Sequence, residues 1–162
     1  MLANMAPTPA GECFSFPRRL SHVTPAWVRA SSFFHVRIRT AVENSVSLIE
    51  PRAGKILLQA ARHYHYLGRW HCRLFLLMPD HRHALLAFPA GSSMSRAVGD
   101  WKRYTARATR VVRQTNYFDH RVRTVQSLQD KFMYVRRNPV VKGFCPTEDL
   151  WPWQWIDGGD EG

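Results

Sequence analysis

Between Ser32 and Arg39 the chain alternates, with Phe34, Val36 and Ile38 on one side and His35, Arg37 and Arg39 on the other. That period of two predicts a first strand buried on one face only. A polar stretch around Glu43–Pro51 follows, and then Ile56, Leu57, Ala60, Ala61 and Tyr64 recur at helical spacing. They predict an amphipathic helix closed near Gly68. Cys72–Met78 is a mostly apolar run of strand length, interrupted by Pro79-Asp80, and His83–Phe88 resumes extended character up to Pro89-Ala90-Gly91. Two strands on a tight turn predict an antiparallel hairpin. Ser92 or Ser93 can cap a second long helix that buries Met94, Ala97, Val98 and Trp101, with Arg96, Arg103, Arg107 and Arg110 mainly outside that stripe. Tyr117–Arg123 reads as extended, and Thr124 can cap a third helix with apolar positions Val125, Leu128, Phe132 and Val135. Pro139 disfavours helical geometry at the residue before it, so this helix is expected to end at or before Asn138. Val140–Phe144 reads as a last short strand. The order β-α-β-β-α-β-α-β predicts an α+β fold, a ferredoxin-like antiparallel sheet with flanking helices.

Composition narrows this little, except through charge. With 162 residues the chain has material for one core, expected over 17–156, between a disordered lead-in at 1–16 and a flexible tail at 157–162. No run of about 18 apolar residues exists, which excludes a helical membrane span. Met1–Pro17 has neither a basic start nor a continuous apolar stretch and so does not read as a signal peptide. Cys13, Cys72 and Cys145 are sparse, odd in number and far apart, against both a disulfide framework and a cysteine zinc site. A cytoplasmic protein is the expectation. The net charge of +11 calls for a polyanionic partner, nucleic acid before a membrane surface.

Two His-x-His pairs offer metal chemistry in different settings. His63 and His65 fall in the first helix, where residues two apart diverge by about 200° and cannot share an ion. His81 and His83 fall at the entrance of a strand, where positions i and i+2 share a face. Their imidazoles can converge on one ion, or they are two surface histidines. Tyr134 lies on the polar side of the third helix beside Asp130, Lys131, Arg137 and Asn138, away from the Leu128–Phe132–Val135 stripe. It is either a surface hydrogen-bonding group or a phenol placed among cations, which suits attack on a phosphate. From Trp101 to Lys142 eleven Lys and Arg residues face two acids, Asp119 and Asp130, which places +9 of the excess in this stretch. Trp101, Tyr104, Tyr117, Phe118, Phe132 and Tyr134 are interleaved with them. Cations with aromatic platforms fit single-stranded nucleic acid.

Taken in order, several blocks resemble the single-tyrosine HUH transposases of bacterial insertion sequences, most closely the REP-associated tyrosine transposase branch. They are Ser21-His22-Val23-Thr24-Pro25-Ala26-Trp27-Val28, the strand Phe33–Thr40, Met78-Pro79-Asp80-His81-Arg82-His83, and Asp100-Trp101-Lys102-Arg103-Tyr104. Tyr117–Arg123 and Tyr134-Val135-Arg136-Arg137-Asn138-Pro139-Val140-Val141-Lys142-Gly143 complete the set. The resemblance implies that His81 and His83 bind a divalent ion, Mg²⁺ or Mn²⁺, with Asn138 as third ligand and Tyr134 as nucleophile. It implies cleavage and rejoining of single-stranded or hairpin DNA, such as REP-like palindromes, through a 5′-phosphotyrosine. Lys102, Arg103, Arg107, His120, Arg121, Arg123, Arg136, Arg137 and Lys142 would hold the DNA. A domesticated member that binds hairpins without cutting is the alternative, and both a monomer and a homodimer are compatible with the resemblance. The chain departs from the pattern at Arg82, where a hydrophobic residue is usual. Arg82 points to the opposite sheet face and is expected to need solvent or an acidic partner there. It departs again at Arg113-Gln114, where Trp-Gln is common, and at Pro139, which pulls Asn138 away from helical geometry.

Overall fold

The hairpin at Pro79-Asp80 forms the centre of the sheet. β2 (His71–Leu77) and β3 (His81–Ala87) run antiparallel, and the Met78 N–H closes the turn on the His81 carbonyl at 2.8 Å. β3 pairs on its other side with β1 (Phe33–Arg39), which sets Arg37 opposite His83 and Val36 opposite Ala84. β4 (Phe118–Arg121) lies outside β1 and β5 (Gln154–Ile156) outside β2. The order is therefore β4-β1-β3-β2-β5, with every pairing antiparallel. These elements come from a computed structural model that describes residues 26–158. The expected lead-in at 1–16, the start of the Ser21–Val28 block and the last four residues lie outside the described residues.

Helices cover both faces of this sheet. α1 (Pro51–Tyr66) starts on Glu50, whose carboxylate accepts the Arg52 and Ala53 N–H groups; α2 (Met94–Thr109) starts on Ser93, which accepts from Arg96. Both pack on one face, where Leu57, Ala60, Ala61, Val98 and Trp101 meet Val36, Phe75, Ala84 and Leu86. α3 (Val125–Val141), capped by Thr124, covers the other face, where Val135 meets Phe33, Leu74, Leu76, Leu85 and Ala87.

The second cover changes several expectations. The polar side of β1 does not face water throughout: His35 is buried on the face that α3 covers, while Arg37 is half-buried and Arg39 stays exposed. Val125 sits in the first turn of α3 and is 63% exposed, so it does not join the stripe below it. α3 runs through Pro139 to Val141 instead of ending before it. Proline inside a helix costs about 3 kcal/mol, and here its ring is buried in line with Val135, one turn earlier. Packing at that stripe outweighs the lost N–H bond. Val140–Phe144 is consequently helix end and turn, and the last strand is Gln154–Ile156.

The tryptophan-rich segment before β5 is a built part of the core. The Trp151 indole N–H donates to the Leu77 carbonyl at 2.9 Å, and the Leu77 N–H donates to the Trp153 carbonyl at 2.8 Å. The Trp153 ring lies where a Cβ on Gly54 would be, so α1 can carry no side chain at that position. Gly54→Ala is expected to displace Trp153 and destabilise the fold by about 1–3 kcal/mol. Urea denaturation checks this, and an unchanged midpoint would contradict the close packing.

Candidate active site

Strand periodicity puts His81 and His83 on the face of β3 that also carries Leu85 and Ala87, the face covered by α3. Their rings meet edge to face with centroids 5.0 Å apart. Each ring has its Nδ1 already engaged. His81 Nδ1 lies 2.6 Å from Asp80 Oδ1, and His83 Nδ1 lies 2.9 Å from Nε2 of His35. His83 Nε2 is buried and has no hydrogen-bond partner among the described residues. That leaves Nε2 as the atom each ring can offer to an ion, an arrangement that suits a metal ligand with its second nitrogen held.

Burial decides the protonation of His35 and His83. His35 is lowered to about 4, chiefly by desolvation and then by the Lys131, Arg37 and His120 charges. His83 is pushed down further, first by desolvation, then by His35, His81, Arg37 and Lys131. Between the native value and the ordinary value of 6.5 the unfolded chain binds protons that the fold does not. Stability is therefore full above pH 6.5 and falls as the pH drops below it, by at most about 1.4 kcal/mol per pH unit for each histidine. Metal-free protein is expected to melt at a lower temperature at pH 5 than at pH 7.5; equal melting temperatures would contradict neutral buried rings.

Tyr134 is half exposed on α3, and the Lys131 ammonium stands 5.1 Å from its ring centroid. The same Lys131 acts electrostatically on His35 and His83, which ties this part of α3 to the histidine face. Asn138 lies one turn beyond Tyr134 and donates its side-chain N–H to the Tyr134 carbonyl at 2.9 Å, so its Oδ1 is the atom it has for a ligand. At the end of α3, Lys142 and Phe144 line a groove of about 420 Å³ with Arg39, Asp80 and His81.

The basic residues do not form one groove. Arg136 and Arg137 belong to α3 and Lys142 caps its end, on the histidine side, and His120 and Arg121 belong to the exposed edge strand β4, with Arg123 just after it. Lys102, Arg103 and Arg107 belong to α2, across the sheet. Several are also occupied. Lys102 donates to the Gln114 and Thr115 carbonyls at 2.8 and 2.9 Å, Arg103 pairs with Asp100, and Arg136 pairs with Asp149. Arg121 Nε donates to the Ser31 carbonyl at 3.2 Å.

Arg82 points to the face opposite the histidines, as strand alternation requires, but finds neither solvent nor an acid there. It is 1% exposed, and none of its three side-chain nitrogens has a hydrogen-bond partner among the described residues. Its guanidinium lies 4.5 Å from the Trp101 ring centroid, and Arg113 lies 5.1 Å from the same ring. Desolvation, with Arg113 adding to it, drives the Arg82 pKa well below its ordinary value.

Two groups escape a reading from sequence. His35 looks like one of three polar residues on a solvent face, and nothing in its spacing points to His83. His65, which cannot share an ion with His63, instead meets His71 and Asp157, their donor atoms all within 4.8 Å of one another. This set could hold a metal ion. Residues 65, 71 and 157 form no motif; the end of α1, the start of β2 and the turn after β5 bring them together. Here His65 Nδ1 accepts the Cys72 N–H at 3.0 Å, so the proton of its neutral ring is on Nε2, 3.7 Å from Asp157. Binding an ion through Nε2 requires that hydrogen bond to be given up.

Among the described residues no helix is long and apolar enough to cross a membrane. No family model matches the chain, and no curated protein matches it. Among solved structures, that of a REP-associated tyrosine transposase bound to a REP hairpin superposes with a TM-score of 0.65 at 16% identity, covering 82% of this chain and 81% of that one. The two chains share a fold, the one the sequence resemblance implies.

Proposed function

We propose that the protein is a single-tyrosine HUH transposase of the REP-associated kind, which cleaves and rejoins single-stranded or hairpin DNA. The observation that carries this reading is the pair His81 and His83, side by side on the α3 face with both Nδ1 atoms engaged and His83 Nε2 buried without a partner. A fold shared with a hairpin-bound transposase supports the DNA assignment.

The residues fit a divalent ion, Mg²⁺ or Mn²⁺. His81 and His83 would hold it with Asn138 Oδ1, and it would supply Lewis-acid polarisation of the scissile phosphate. The chain's own groups do the rest. Tyr134 Oη attacks the phosphorus in line. A tyrosine–phosphate bond forms on the 5′ side, and the bond to the 3′ oxygen breaks. That oxygen leaves as a 3′-hydroxyl, taking up a proton as the phenol gives one to solvent. Lys131 places positive charge beside the phenol where negative charge develops. Arg137 and Lys142 face the strand from α3, and His120, Arg121 and Arg123 face it from the β4 edge. Because the phosphotyrosine keeps the energy of the phosphodiester, a second 3′-hydroxyl can reverse the step without ATP.

The test is incubation with hairpin DNA carrying a single-stranded extension, in the presence of Mn²⁺. A protein–DNA adduct that survives denaturation is expected from wild type and not from His81→Ala. DNA retention with no cleavage in wild type would show a binding protein instead.

A further inference from the structure

We propose that His35 is a positioning residue that holds the His83 ring in the tautomer an ion needs; this rests on the proposed metal role of His83. The two residues belong to neighbouring strands. His83 stands opposite Arg37 in the β1–β3 register, so His35, two residues before Arg37, is its diagonal neighbour on the same face. The rings stack with centroids 5.1 Å apart and an interplanar angle of 16°, and both are buried. One hydrogen bond joins them, between His35 Nε2 and His83 Nδ1 at 2.9 Å.

A neutral imidazole carries one N–H and one lone pair. The shared bond therefore permits two states. In one, His83 Nδ1–H donates to the His35 Nε2 lone pair, and His83 Nε2 presents a lone pair. In the other, His35 donates, and His83 Nε2 carries the proton. Neither leaves His83 Nε2 with a protein partner, since that atom has none among the described residues. Only the first can accept a cation. His35 thus does for His83 what the Asp80 carboxylate does for His81, whose Nδ1 it meets at 2.6 Å. The two partners differ in one respect: Asp80 brings negative charge to the site, and His35 accepts the hydrogen bond without adding any. The second motif ligand is held while its surroundings, with Arg37 and Lys131 nearby, stay positive toward a phosphate.

Two measurements on the full chain test this. Nitrogen-15 NMR of the metal-free protein reads the tautomer directly, and His83 is expected with its proton on Nδ1. A proton on Nε2 overturns the inference, whatever the ion binding shows. Mn²⁺ titration without DNA, followed by the loss of the free-ion EPR signal, reads the consequence. His35→Leu is expected to weaken Mn²⁺ binding about 10–100-fold. His35→Gln, whose Oε1 reaches about as far as the imidazole Nε2, is expected to restore most of it. Undiminished binding in His35→Leu overturns the positioning role. Wild type that binds no Mn²⁺ overturns the metal site itself and not the tautomer.

Discussion

Tyr134→Phe is expected to bind hairpin DNA within about fivefold of wild type, the loss of one hydrogen bond at most, and to form no covalent adduct with it. The substitution removes one oxygen from a side chain that is half exposed and packs into no core. Folding and metal binding have no stake in that atom. The reaction depends on it entirely, because no other atom of the ring can form an ester with phosphorus. Cleavage is expected to fall by about 10³-fold or more, as when a nucleophile is removed from a covalent catalyst. Denaturing electrophoresis of labelled hairpin reads the adduct, and a filter-binding titration reads the affinity. An adduct that persists would move the nucleophile to another residue.

Arg82→Met is expected to stabilise the protein while leaving cleavage in place. A lone buried guanidinium is desolvated with no carboxylate to compensate it, and Arg113 adds a like charge. Stacking on Trp101 returns about 2 kcal/mol of the desolvation cost. Methionine has a similar length, suits the apolar surroundings of Val36, Phe75 and Leu86, and needs no partner. Replacing buried charge by well-packed apolar side chains has raised stability by about 1–4 kcal/mol elsewhere. At about 2–4 °C per kcal/mol for a chain of this size, the melting temperature is expected to rise by several degrees. Because residue 82 points away from His81 and His83, adduct formation is expected to stay near the wild-type level. A lower melting temperature would mean that the Arg82–Trp101 stack holds α2 to the sheet.

Alternation and helical spacing carried most of the fold. They placed β1, α1, the β2–β3 hairpin and α2 within a few residues, and the element order implied the ferredoxin-like arrangement of the first four strands. Two of the departures, the covered face of β1 and the helix that runs through Pro139, share a cause. The side of β1 with His35 looks solvated in sequence because a polar strand face carries no sign that a distant helix covers it. Pro139 looks like a helix end because the local rule cannot register the burial that holds its ring beside Val135. β5 is only three residues long, flanked by tryptophans, and gives no period to detect.

The candidate site was legible where neighbours in sequence are neighbours in space, and obscure elsewhere. His81 and His83 are two residues apart on a strand, and Tyr134 and Asn138 are one turn apart on a helix. The partner of His83 is 48 residues away and depends on strand register. The long basic stretch is one run in sequence, but the chain crosses the sheet between α2 and α3 and divides it between two faces. Charge by itself carries no information about which face it occupies. Lys102 shows the other loss, since a side chain that ties two carbonyls of the loop after its helix counts in the charge total and offers little to a phosphate.

Mapping the adduct tests the role of Tyr134 most directly. Wild-type protein cross-linked by its own reaction to a hairpin can be digested with nuclease and protease and read by tandem mass spectrometry. A peptide modified on Tyr134 and nowhere else is expected, with the nucleotide joined through its 5′-phosphate and a free 3′-hydroxyl on the released strand. Modification of a different residue, a link through the 3′-phosphate, or cleavage with no adduct at all would contradict it.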